Sequence, residues 1–168
     1  MAFPIYLALE TTKGEIKDKE QKVKGFEEQL FVQDFIIGAS IKGASVTNAV
    51  ASSSSIPQGD PVKIFVGMGS HVPQIFDSCF NNAQVKTATF SFIRTNVEQK
   101  TETVLVIKAT EGTITKADLT SPPYWELQGN INQPKPQLLE VHICYKELSI
   151  EAPLHSTMME HEYAGITG

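Results

Sequence analysis

Ser70-His71-Val72-Pro73-Gln74-Ile75-Phe76-Asp77-Ser78-Cys79-Phe80-Asn81-Asn82 is the one stretch of this chain with a convincing helical period. Val72, Ile75, Phe76, Cys79 and Phe80 fall at i, i+3, i+4, i+7 and i+8, a spacing that predicts a single apolar face. Pro73 suits a first turn, where its missing N–H costs nothing. Asn81-Asn82 tolerates the left-handed geometry that stops a helix. Nearly every other patterned segment alternates with period two, so the helix over 70–82 is expected to lie against a sheet.

Outward from the helix, Val62, Ile64, Val66 and Met68 form a strand that feeds it through Gly67-Met68-Gly69. After it, Ala88, Phe90 and Phe92 alternate with polar residues. Thr103, Leu105 and Ile107 alternate with Val104 and Val106, and a polar turn over 95–100 joins the two runs into a hairpin. Thr113-Ile114-Thr115 is a further short β-prone piece. Residues 117–136 hold four prolines and read as connection; Tyr124 and Trp125 there suit either a cap on the core or an interface anchor. Leu139, Val141, Ile143 and Tyr145 mark a clean strand that runs on toward Leu148 and Ile150. At the other end, Phe3, Ile5, Leu7 and Leu9 mark the first strand and 11–25 a charged loop. Phe26 to Ile37 reads as a second strand with apolar residues on both faces. The tail from Pro153 is weakly patterned.

Residues 38–60 are built from Gly, Ala, Ser, Thr and Val, with Lys42 the only charge before Asp60. A loop this long is uncommon inside a compact domain. Ile41, Val46, Val50 and Ile56 have little reason to face water. Two readings fit equally: a segment that orders against another subunit, and a disordered surface loop.

A length of 168 residues fits one domain spanning 1–168, and a net charge of −5 argues against a nucleic-acid partner. Acidic residues interrupt the cationic run from Lys13 to Lys24, which reads as a solvated loop. Cys79 and Cys144 read as buried thiols in a reducing compartment. No run approaches the roughly 18 apolar residues of a membrane span. The start, Met1-Ala2-Phe3-Pro4-Ile5-Tyr6-Leu7, lacks the cationic opening and long apolar run of a cleaved leader.

The sequence offers no catalytic, cofactor or metal set. Gly67-Met68-Gly69 lacks the third glycine of a dinucleotide loop, since position 72 is Val72. Ser45 lacks the second glycine of a nucleophile elbow. His142 and Cys144 share a strand face with Glu140 and Lys146, which reads as a partly exposed sheet face, because a zinc site needs three or four ligands. His155, Met158, Met159 and His161 read as a terminus, not a soft-metal site. Glu27 and Glu28 are adjacent and would point to opposite faces of a strand. His71 reads as a capping-turn residue. The balance favours a structural or binding role.

Several segments, taken in order, resemble the haemolysin-coregulated protein (Hcp) family, tube subunits of bacterial type VI secretion systems. Met1 to Leu7 is similar to the family's first strand, and Gly14-Glu15-Ile16-Lys17-Asp18-Lys19 to its Gly-Glu-Ser-x-Asp-Lys loop, with Ile16 in place of the serine. Leu30-Phe31-Val32-Gln33-Asp34-Phe35, Val72-Pro73-Gln74-Ile75-Phe76-Asp77-Ser78-Cys79, Phe90 to Arg94, Val104 to Lys108 and Val141 to Tyr145 follow in the family's order. The tail lacks the tryptophan often found near the family's end.

The resemblance implies a mainly β fold: a two-sheet, β-barrel-like single domain with one flanking helix and a long extended loop over 38–60. It implies a non-enzymatic tube subunit that forms a homohexamer whose rings stack into a hollow tube. A contractile sheath propels the tube, a spike protein tips it, and small effector proteins ride in its lumen. Such a protein assembles in the bacterial cytoplasm and is secreted without a cleaved signal peptide. The extended loop, with Ile41, Val46, Val50 and Ile56, is then the contact between rings. A contractile phage tail-tube subunit shares this architecture. A small ligand-binding β-barrel or hydrolase is the reading from a different class, which a deep apolar pocket within one subunit would favour.

Overall fold

The computed structural model describes residues 3–42, 56–121 and 138–162, with the backbone alone at 40–42 and 56–58. The elements in chain order are β1 (Ile5–Thr11), β2 (Gly14–Ile16), β3 (Leu30–Ile36), β4 (Ala39–Lys42), β5 (Ile56–Gly59), β6 (Val62–Val66), α1 (His71–Phe80), β7 (Gln84–Thr95), β8 (Thr101–Thr120), β9 (Leu138–Cys144), β10 (Glu147–Ala152) and β11 (Thr157–Glu162).

All strand pairings are antiparallel. β1, β3, β6, β9, β8 and β7 pair in that order, and β7 pairs back to β1, so six strands close into a barrel. Closure removes the sheet edges that would otherwise recruit other chains. Inside lie Leu7, Leu30, Ile64, Phe90, Ile107, Leu139 and Ile143, all buried. The expectation of a mainly β barrel with one flanking helix is met.

β8 is far longer than the hairpin arm that its alternation suggested, and Thr113-Ile114-Thr115 belongs to it. Residues 106–110 pair with β10 and residues 113–120 with β9, so β9 and β10 run end to end along one side of β8. The strand expected from Leu139 through Ile150 is therefore broken at Tyr145-Lys146. There the Lys146 N–H donates to Thr110 O (3.1 Å). β8 kinks at the same level: Glu111 has φ +52°, and Gly112 has no room for a side chain, since a Cβ would lie 2.2 Å from Cys144 O. Beyond the break β10 leaves the barrel and carries β11 on its outer side.

Three other elements differ from the sequence expectation. The second strand starts at Leu30, because Phe26 to Gln29 is spent in turns over the outside of β1. Its apolar residues on both faces follow from a register shift between Val32 and Asp34. Leu30 and Val32 point inward before it, and Phe35 packs on the core after it, while Phe31 and Ile36 face out. The helix is rotated from its expected face: His71, Ile75 and Ser78 are its buried residues, and Phe80 is 84% exposed. Val72, Phe76 and Cys79 flank that line and pack on the core in part. The helix packs against β8 and β2. Lastly, both ends of the 38–60 loop are strands, and β4 pairs with β5 as a separate two-stranded ribbon.

Candidate assembly surfaces

With the barrel closed, what the chain offers a partner stands outside it. The first such feature is the β10–β11 hairpin. Leu148 and Ile150 of β10 pair across from Ala109 and Ile107 and pack with the core, which anchors the hairpin to the barrel. β11 makes the far edge, and all six of its residues are exposed, Met158 (59%) and Met159 (44%) among them. Met158 pairs across from Glu151 and Glu160 from Ser149. Glu147, Glu151, Glu160 and Glu162 thus make one face acidic. Glu162 pairs with Lys146, and Glu147 accepts from Thr110 Oγ1 (3.0 Å). The weak alternation of Thr157-Met158-Met159-Glu160-His161-Glu162 hid this strand from a sequence reading.

The second feature is the strap over 17–29, between β2 and β3. Phe26 stacks on the outward ring of Tyr6 (4.8 Å between centroids), and Phe31 meets the same ring edge-on (5.6 Å). Ser70, just before the helix, makes no side-chain cap and ties the strap to it: its Oγ accepts from Lys19 N (2.9 Å) and donates to Lys17 O. Lys17 N donates to Gln74 Oε1 (3.1 Å). His71 is a buried residue and not a mere turn residue. Its Nε2–H donates to Gly67 O (2.7 Å), and its Nδ1 faces Asp18 Oδ2 at 3.9 Å. The third feature is the β4–β5 ribbon. Ile41 and Ile56 lie on it, at neighbouring registers. Val46 and Val50 lie outside the described residues, as do Tyr124 and Trp125.

The residues weighed for chemistry are dispersed. His142 donates Nε2–H to Glu140 Oε1 (2.8 Å), with Lys63 and Lys116 beside the same carboxylate. His142 first, then the two lysines, hold Glu140 below the usual carboxylate range. This is an ion network on the outer face of the barrel. Cys144 and Cys79 are free and half-buried, so neither is the fully buried thiol expected. Among the described residues no three His, Cys, Asp or Glu side chains converge as metal ligands, and no helix is long and apolar enough to cross a membrane. A groove of about 490 Å³ between β8, β10 and β11 is lined mainly by polar residues, Lys108, Thr110, Glu147 and Glu160 among them.

The family described as "Type VI secretion system effector, Hcp" matches residues 6–151. This chain belongs to the Hcp family. Solved Hcp structures share its fold. One titled "Crystal structure of Hcp protein" has a TM-score of 0.83 at 17% identity, over 98% of this chain and 99% of the other. Hcp1 of E. coli EAEC 042 has a TM-score of 0.79 at 15% identity, over 96% and 99%. The secreted protein Hcp3 from Pseudomonas aeruginosa has a TM-score of 0.73 at 17% identity, over 98% and 100%. Among curated proteins none matches this chain in sequence. Membership makes the chain a type VI secretion component, and the six-stranded barrel with one helix is the architecture it has in common with the solved Hcp proteins.

Proposed function

We propose that this chain, one domain over 1–168, is a tube subunit of a type VI secretion system and acts by assembly, not turnover. Family membership over 6–151 is the observation that carries this reading. The architecture is in keeping with it: the hairpin, strap and ribbon all stand outside the closed six-stranded barrel. Copies form homohexameric rings, and the rings stack into a hollow tube. A contractile sheath drives the tube, a spike protein caps its tip, and small effector proteins travel in the lumen. The protein assembles in the bacterial cytoplasm and is then secreted.

The β4–β5 ribbon and the segment it leads to make the contact between rings, through Ile41, Val46, Val50 and Ile56. Replacing Val46 and Val50 by Asp tests this placement. The variant is expected to keep hexamers in light scattering and to lose stacked tubes in electron micrographs. Loss of the hexamer itself would show that this segment belongs to the contact within the ring.

A further inference from the structure

Gly67-Met68-Gly69 seats a buried histidine against the strap. We infer that His71 and Asp18 form a proton-operated latch: a proton added to the imidazole tightens the hold of the helix on the strap over 17–29, and its loss loosens that hold. The latch lies within one chain, so it stands apart from the ring reading above.

His71 is 2% exposed. A Cβ on Gly69 would lie 2.8 Å from His71 Cε1 and Nδ1 and 3.1 Å from Asp18 Oδ1, so glycine there leaves room for the ring and the carboxylate to meet. A carbonyl oxygen only accepts, so the 2.7 Å contact with Gly67 O fixes a proton on His71 Nε2. In the neutral ring Nδ1 is then a bare lone pair. It is buried, has no hydrogen-bond partner, and faces Asp18 Oδ2 at 3.9 Å, acceptor against acceptor. A second proton, on Nδ1, turns this contact into a charge-assisted hydrogen bond, the two atoms drawing together by about 1 Å. The Asp18 side chain, 19% exposed, opens the contact to solvent protons.

Asp18 is also where the strap is tied to itself. Its Oδ1 accepts from Glu20 N, its N–H donates to Glu28 O and its O accepts from Gln21 N, while Glu28 N donates to Gln21 O. A shift of Asp18 therefore moves both arms of the strap. No other carboxylate among the described residues makes an ion pair with the ring. On the elements around it, Lys17 is turned to Glu15 and Glu28, and Lys13 to Asp77 on the helix. On β8, Glu111 is turned to Lys146 and Lys116 to Asp118, while Lys19 and Glu20 of the strap are exposed. Carboxylates and ammonium groups ordinarily keep their charge between about pH 5 and pH 8, where imidazoles change theirs. The helix dipole opposes a cation at its first residue, and the Asp18 carboxylate offsets it.

Hydrogen exchange of the full chain, followed by mass spectrometry at about pH 8 and pH 5 and corrected for the intrinsic pH dependence of exchange, reads the latch through peptides covering 17–29. Wild-type protection there is expected to rise about tenfold or more at the lower pH. Asp18→Asn inverts the response. Asn keeps an oxygen for Glu20 N and puts an N–H where Oδ2 stood, so it donates to the neutral ring and loses that bond when the ring gains its second proton. Strap protection in this variant is then greater at the higher pH. His71→Gln keeps a donor for Gly67 O and has no proton to gain, so its strap protection stays level. Equal wild-type protection at the two pH values, or a wild-type response retained in Asp18→Asn or His71→Gln, would overturn the latch. Neither result bears on whether copies form rings.

Discussion

Gly112 sits where β8 exchanges one partner for the other, and replacing it by Ala tests how the barrel closes. A Cβ there would lie 2.2 Å from Cys144 O, 3.3 Å from Cys144 C and 3.4 Å from Tyr145 Cα. Real Cβ atoms essentially never approach closer than 3.0 Å, so the chains must part by about 0.8 Å or more. The obstacle is backbone and cannot rotate aside. It is held by the Lys146 N–H bond to Thr110 O and by the β9 ladder on its other side. Overpacking of this kind costs about 1–3 kcal/mol, and more where the neighbours cannot relax. We place Gly112→Ala at the upper end, about 3 kcal/mol. For a chain of this size that lowers Tm by about 6–12 °C. Thermal unfolding followed by far-UV circular dichroism measures it. Gly38→Ala serves as the control, because a Cβ there meets only the Asp60 carboxylate, at 2.8 Å, which can swing away. A Gly112→Ala protein that melts within about 2 °C of wild type would refute the tight crossing of β8 with the β9–β10 junction.

Other outcomes follow from the packing and the charges. Ile75→Ala should lose about 2–5 kcal/mol in urea unfolding. Phe80→Ala, at a site 84% exposed, should stay within about 0.5 kcal/mol, and the reverse ranking would restore the helix face read from the sequence. Phe90→Ala should cost about 3–5 kcal/mol, since Phe90 is fully buried and meets Phe35 edge-on at 4.8 Å. Glu140 is held below its ordinary value, so its contribution is present above an unfolded-state pKa of about 4.3 and is lost as pH falls through the lower folded-state value. Tm measured from pH 6 to pH 2 should therefore fall less steeply in Glu140→Gln than in wild type; parallel curves would remove Glu140 from the account.

Strand positions buried on one side were legible because period two is imposed by the pleat itself. Leu7 and Leu9, Val62 to Val66, Ala88 to Phe92 and Leu139 to Ile143 all fall where their alternation placed them. The helix was legible in extent but not in facing. Its polar residues His71 and Ser78 are buried, and Phe80 is left outside, so tertiary packing overrode the apolar count. The β8 kink and the strand break at Tyr145-Lys146 were not legible. They come from a close backbone approach at Gly112 and a left-handed Glu111, and neither has a periodic signature. Of the assembly surfaces, sequence reading singled out the 38–60 segment by its uncharged composition. It passed over β11, whose adjacent Met158 and Met159 blur the alternation, and read the lysines of 13–24 as a solvated loop, where they are indeed exposed. The placement of the hairpin outside the barrel depends on strand order, which appears only once the barrel is closed.

The central claim is that copies of this 18.5 kDa chain assemble with one another into a closed ring. Electron microscopy of the purified protein at high micromolar concentration tests it most directly. Annular particles with six-fold symmetry and a mass about six times that of the chain are predicted. Fields of isolated barrels, with no annular particle at any concentration reached, would contradict it.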